Sequence, residues 1–249
     1  LGLQPHERTH RLRWRRAGPD PSGVLQGVIV VQPPPLLTAI IPHEGLPLAA
    51  LANLVAAAAD QRHRLAVMLR APALELAGWR TLLQAAAPPI VAAGLQLAIN
   101  VGPRSAPHQV LEFARLIAPW PYAWLQLGEA AAPPLRWRAA LAESGQATAI
   151  LSRSCHDLAG VLAAFAAGAD RVLVSPVWPT QSKPGAPNLG LDGLAGLVAA
   201  APGPLFGLGG IDSTNVAATL RTGVAGVACL GAPWGPSGAE LVEASLGGA

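Results

Sequence analysis

The run Arg171-Val-Leu-Val-Ser175-Pro176-Val-Trp178-Pro-Thr180-Gln-Ser182-Lys183-Pro-Gly185 decides how the chain is read. Val172 to Val174 are short, apolar and β-branched, and turn-forming residues follow at once, the pattern of a buried parallel strand feeding a loop. That loop suits an oxyanion. Thr180 and Ser182 carry hydroxyl donors, Lys183 adds a point charge, and Gly185 permits positive φ or a close backbone approach. Leu205-Phe-Gly-Leu-Gly209-Gly210-Ile-Asp212-Ser213-Thr-Asn215 repeats the design: a strand runs into two glycines and then a helix start near Ser213. Free N–H groups at such a start, with no side chain on the glycines to block them, outline a second anion site.

The same alternation extends through the chain from Leu36. Strands are expected near Leu36–Ile41, Leu65–Leu69, Leu95–Asn100, Tyr122–Leu127, Ala147–Leu151, Val172–Val174, Leu205–Leu208 and Val227–Leu230. Helices are expected between them, at Leu46–Asp60, Ala77–Ala93, His108–Ile117, Pro134–Glu143, Asp157–Ala166, Leu191–Ala200, Ser213–Thr222 and Ser237–Leu246. Repeating βα units give an α/β fold, and eight of them fit a TIM (β/α)8 barrel better than a doubly wound open sheet. A barrel also places chemistry at the carboxyl ends of its strands, with phosphate after strands 7 and 8, where Gly209, Gly210, Leu230 and Gly231 stand.

Composition bounds the reading further. The 249 residues are 51% apolar and 12% charged, but no long apolar run escapes interruption by Gly, Pro or a charge, so no membrane span is expected. No signal-peptide pattern is present either, and two cysteines, Cys155 and Cys229, suit a reducing cytoplasmic setting as small buried residues. The net charge of +3 is concentrated early, with Arg8, Arg11, Arg13, Arg15 and Arg16 near the start. With no aromatic platform beside them, they read as a solvated segment and not as a nucleic-acid arm. Arg11-Leu-Arg-Trp-Arg15 alternates as an edge strand would, Val24–Val31 is apolar, and Pro33-Pro34-Pro35 breaks the composition. Residues 1–33 are therefore read as an N-terminal extension or linker, and 34–249 as the barrel.

Ser154-Cys-His156, Gly168-Ala-Asp170, the Ser175–Gly185 loop, Leu189-Gly190, Gly207-Leu-Gly209-Gly210-Ile211 and Gly226-Val-Ala228, in that order and spacing, resemble the thiamine phosphate synthase/TenI family. The resemblance implies a single TIM barrel. In the synthases it implies a transferase of thiamine biosynthesis that joins a thiazole phosphate to a pyrimidine pyrophosphate with Mg²⁺. The first residues, led by the Leu-Arg-Trp strand, resemble the tail of a Nudix hydrolase domain of the kind that precedes such barrels, which implies an upstream Nudix partner.

Carried over residue by residue, the resemblance implies catalytic roles for Ser154, Lys183 and Arg70, and ligand or phosphate contacts for Asn100, His156, Thr180, Ser182, Gly209, Gly210, Leu230 and Gly231. His156 either caps the next helix or reaches the pocket. Trp178 covers a planar ring or packs its own loop, and His43 and His108 read as solvated loop residues. The chain also departs from the family. Met68 and Pro72 replace the glutamine and lysine flanking the family arginine, Val101 replaces the aspartate of an Asn-Asp pair, and Ala131 stands where a second acid is expected. Glu129 lies next to that gap. No metal ligand is therefore assigned, and Mg²⁺ is expected only if synthase activity is retained. The expectation is a barrel that binds a phosphorylated thiazole or thiamine phosphate with degraded synthase activity. An active synthase is the alternative, and a thiazole phosphate isomerase, whose base position holds Pro176, a further one.

Overall fold

The computed structural model describes residues 34–41, 45–180, 185 and 187–247. Eight strands, β1 Leu37–Ile40, β2 Leu65–Arg70, β3 Gln96–Asn100, β4 Trp124–Leu127, β5 Ile150–Cys155, β6 Arg171–Val174, β7 Leu205–Leu208 and β8 Gly226–Cys229, close into one parallel barrel. β8 pairs with β1 to complete the ring, with Leu37 opposite Val227. Helices α1 Leu48–Ala58, α2 Leu76–Ala92, α3 Pro107–Ile117, α4 Pro134–Glu143, α5 Leu158–Ala166, α6 Gly190–Ala200, α7 Val216–Leu220 and α8 Gly238–Leu246 follow the strands in turn. The TIM-barrel expectation therefore holds. The expected extension over residues 1–33, with its Arg11–Arg15 strand, Val24–Val31 stretch and Nudix-like tail, lies outside the described residues. So do His43, Ser182 and Lys183.

Alternation along each strand creates two apolar layers. Ile40, Ala66, Met68, Ala98, Trp124, Leu173, Phe206 and Ala228 meet inside the barrel. The residues between them, such as Ala39, Val67, Ile99, Leu125 and Val172, pack outward against the helices. In that helix layer the rings of Trp79, Phe113 and Trp137 stack edge to face, with centroids 5.1 and 6.2 Å apart, and join α2, α3 and α4. The same parity decides which polar residues reach the mouth: Arg70, Asn100, Gln126 and Ser154 occupy inward positions at or near the carboxyl ends of β2 to β5.

Two elements depart from the sequence reading. β5 runs Ile150–Cys155 and not Ala147–Leu151. Residues 146–149 are spent on a turn, with Ala149 N–H donating to Gln146 O, and the strand begins where Asp170 accepts Leu151 N–H at 2.7 Å. Asp170 of the Gly-Ala-Asp motif is thus a structural anchor at the foot of the barrel, also paired with Arg138. The helix expected from Ser213 begins only at Val216 and is five residues long. Asp212 Oδ1 accepts from both Thr214 N–H and its hydroxyl, and Asn215 Oδ1 accepts Asp212 N–H, so a side-chain turn replaces the first helical turn.

Candidate functional site

A polar arc lines one side of the barrel mouth. Arg70 lies opposite Asn100 in the β2–β3 ladder, and Asn100 lies opposite Gln126 in the next. Asn100 Oδ1 accepts Gly102 N–H at 3.0 Å, which fixes the orientation of its amide. Gln126 is 1% exposed and donates from Nε2 to Ser154 Oγ at 3.0 Å. That bond occupies a lone pair of Ser154 and leaves the hydroxyl proton for a ligand. The predicted residues Arg70, Asn100 and Ser154 are therefore brought together, and Gln126 joins them as a residue the sequence reading did not select. Its signal was available: Trp124 and Gln126 share the inward parity of β4.

The opposite side offers backbone. Gly209 and Gly210, beyond β7, have φ of 97° and 66°, and Leu230 and Gly231 follow β8. Among the described residues, none of these four N–H groups has a protein acceptor. The glycines also serve packing. A Cβ on Gly210 would lie 2.4 Å from Pro179 O and 2.7 Å from Trp178 Cβ, and one on Gly209 would lie 2.9 Å from Pro176 Cβ. The loop after β6 is tied down here, with Val177 N–H donating to Leu208 O at 2.9 Å and Trp178 N–H to Gly209 O at 3.0 Å. Gly231 differs, because a Cβ there meets nothing within 4 Å. The positive helix end expected at Ser213 is not part of this site. The Thr214 N–H group is consumed by Asp212, and α7 starts too late and is too short to supply one. Thr180 is described and half-buried in the same loop, while its neighbours Ser182 and Lys183 are not described.

The quadrant where the resemblance would put a metal is built differently. Val101 is 0% exposed and belongs to the outer apolar layer, so its position faces the helices and not the mouth. Ala131 is buried in that layer too. Glu129 leans the other way, its Oε2 3.6 Å from His156 Nε2, while His156 Nδ1 bonds Ser175 O. Among the described residues no three His, Cys, Asp or Glu side chains converge as a metal site. The side chains of Val101 and Ala131 offer no oxygen ligand, whereas Mg²⁺ is ordinarily held through one or two carboxylates together with water and substrate phosphate. Two arginines stand in this quadrant, neither singled out from sequence. Arg153 donates to the carbonyls of Glu129, Ala131 and Ala132 at 2.9, 3.0 and 3.2 Å. Arg104 donates to Val101 O and, at 3.0 Å, to Leu74 O, with its guanidinium 4.1 Å from the Phe113 ring centre.

Several sequence alternatives resolve. Asp157, not His156, caps α5, accepting Gly160 N–H at 2.8 Å. Trp178 packs its loop and donates its indole N–H to Thr219 Oγ1 at 3.0 Å. His108 is exposed in the first turn of α3 and not in a loop. Cys155 and Cys229 are buried. Burial pushes the Cys155 thiol up to about 11, and burial with the nearby Asp212 carboxylate pushes Cys229 up to about 12.

Several known proteins are similar to this chain. The family described as thiamine monophosphate synthase matches residues 39–232. A putative thiamine-phosphate synthase of Geobacter sulfurreducens is 42% identical over 85 residues, which cover 33% of this chain and 39% of that protein. Thiamine-phosphate synthase of Mycolicibacterium smegmatis is 40% identical over 75 residues, 30% of this chain and 33% of that protein. The matched stretch thus spans a third to two fifths of these curated relatives. The solved thiamine phosphate pyrophosphorylase from Pyrococcus furiosus superposes with a TM-score of 0.63 over 86% of this chain and 95% of that one, at 19% identity, a likeness of fold. No described helix is long and apolar enough to cross a membrane.

Proposed function

The chain belongs to the thiamine monophosphate synthase family, and on that premise we propose that its barrel mouth binds a phosphorylated thiazole or thiamine phosphate. The observation that carries this reading is the set of four backbone N–H groups at Gly209, Gly210, Leu230 and Gly231, without a protein acceptor among the described residues and across the mouth from Arg70, Asn100, Gln126 and Ser154. A phosphomonoester needs several donors and no particular side chain, which the ends of β7 and β8 supply. Leu208 and Leu230, at inward positions there, give the ligand's ring an apolar seat. The polar arc then meets its heteroatoms.

Bond formation between thiazole phosphate and pyrimidine pyrophosphate is a separate demand. A pyrophosphate leaving group needs cationic stabilisation. Val101, Ala131 and Pro72 withdraw two carboxylates and a lysine from the places the resemblance assigns to it. The proposed activity is therefore binding, with coupling absent or slow. The names of the relatives favour the second reading, an active synthase. An isomerase reading has Pro176 where its base would stand. The deciding experiment incubates the purified chain with both substrates and Mg²⁺ and follows product by chromatography. Ligand binding with negligible product supports the proposal; turnover of about 1 per second or faster, ordinary for an enzyme, overturns it.

A further inference from the structure

The loops after β2, β3 and β4 form one connected truss with β5. Arg153 leaves β5 on its outward face and spends three donors on the carbonyls of Glu129, Ala131 and Ala132 in the loop after β4. Ala131 N–H closes that loop on itself through Gly128 O at 3.0 Å, and Ala132 N–H crosses to Arg104 O at 2.8 Å. Arg104 then takes Val101 O after β3 and Leu74 O after β2, and lies on Phe113 in the helix layer. A rigid planar fork suits this work, since each guanidinium bonds several carbonyls at once where an ammonium acts as a point charge. The truss borders Asn100, Gln126 and Ser154, whose side chains are held by Gly102 and by each other.

We propose that Arg153, with Arg104, is a positioning residue that holds the β3 and β4 ends of the mouth in binding geometry through guanidinium–carbonyl bonds, without a divalent cation. It touches no ligand. It acts through the loop between Gly128 and Ala132 and through the Gln126–Ser154 pair beside it. The phosphate side of the mouth, at Gly209, Gly210, Leu230 and Gly231, is built from β7 and β8 and shares none of these bonds. The proposal rests on the binding reading above for its ligand arm and on the apo fold for its structural arm.

The test has both arms. Amide exchange in the ligand-free protein, in EDTA and again in Mg²⁺, reads the Ala131 and Ala132 amides in wild type, Arg153→Lys and Arg153→Met. Calorimetry reads the affinity of inorganic phosphate and of hydroxyethylthiazole phosphate for the same three proteins. Wild type should show equal protection in both buffers. Arg153→Met should lose about tenfold in protection and about tenfold in affinity for the thiazole phosphate, the loss expected for charge-assisted bonds, with inorganic phosphate unchanged and Arg153→Lys intermediate. The split between the two ligands is the readout a merely stabilising arginine would not produce. Protection that appears only with Mg²⁺, unchanged protection in Arg153→Met, or an equal loss for both ligands overturns the proposal. If wild type binds neither ligand, the binding reading fails while the exchange arm still decides the truss.

Discussion

Replacing Gly231 by aspartate places a carboxylate at the proposed phosphate position without disturbing the fold. Gly231 sits at φ −94° and ψ −45°, which any residue adopts, and its Cβ would meet nothing within 4 Å. Gly210→Asp, the more obvious choice from sequence, is a poor test because its Cβ would strike Pro179 O at 2.4 Å and dislodge the loop after β6. Two unit charges of like sign about 5 Å apart, at an effective dielectric of about 20, repel by about 3 kcal/mol, roughly a hundredfold in Kd. That separation is inside the screening length of about 8 Å at physiological salt, so much of the effect survives in ordinary buffer. Calorimetric titration of hydroxyethylthiazole phosphate into wild type, Gly231→Asp and the near-isosteric Gly231→Asn separates charge from bulk. The aspartate variant should lose about two decades of affinity and the asparagine variant little. Equal losses in both variants would mean that the site was merely blocked, and no loss in Gly231→Asp would remove the phosphate from the ends of β7 and β8.

Ser154→Ala strips the buried Gln126 amide of its 3.0 Å acceptor and should lower unfolding stability by about 1–3 kcal/mol in urea as well as weaken ligand binding; loss of neither would detach this pair from the site. Arg171 is a cation inside the barrel, with Nη1 unpartnered and its guanidinium 5.1 and 5.3 Å from the Trp124 and Phe206 ring centres. Burial, partly opposed by Asp170, pulls it down to about 10. The unfolded chain then holds the extra proton above about pH 10, so stability rises with pH as the buried guanidinium loses its proton, and the penalty is complete below that pH. Arg171→Met should therefore be neutral or stabilising by about 1 kcal/mol at pH 7, after the lost cation–π contacts, and a marked fall in the urea midpoint would contradict this. Cys155 and Cys229, raised by burial, should resist a thiol reagent at pH 8 until denaturant is added, and prompt labelling of the native protein would contradict their placement.

The barrel was legible because most of its strands are short apolar runs bounded by glycine and proline, and because Gly209 and Gly210 announce a backbone turn. β5 was misplaced for a physical reason: after Ile150 and Leu151 it continues Ser152-Arg153-Ser154, so its second half lacks an apolar signature and the apolar reading stops at Leu151. α7 was overextended because Asp212, Ser213 and Thr214 look like caps, whereas Asp212 bonds with Thr214 and Asn215 in a side-chain turn. Arg70, Asn100 and Ser154 were readable as candidates at the barrel mouth from strand ends and family resemblance. Arg104 and Arg153 were not. Arg153 takes carbonyl acceptors more than twenty residues earlier in the chain, and backbone acceptors leave no mark in sequence. In sequence Glu129 only lies beside the gap left by Ala131, and the fold shows its carboxylate 3.6 Å from His156.

Metal-free binding of a phosphorylated ring ligand by this barrel is decided by titration calorimetry of hydroxyethylthiazole phosphate into the purified chain, once in EDTA and once in excess Mg²⁺. The expected result is one site with the same Kd in both buffers, within about twofold, well inside the 1.4 kcal/mol that separates tenfold affinities. Binding seen only with Mg²⁺, or no binding in either buffer, would contradict it.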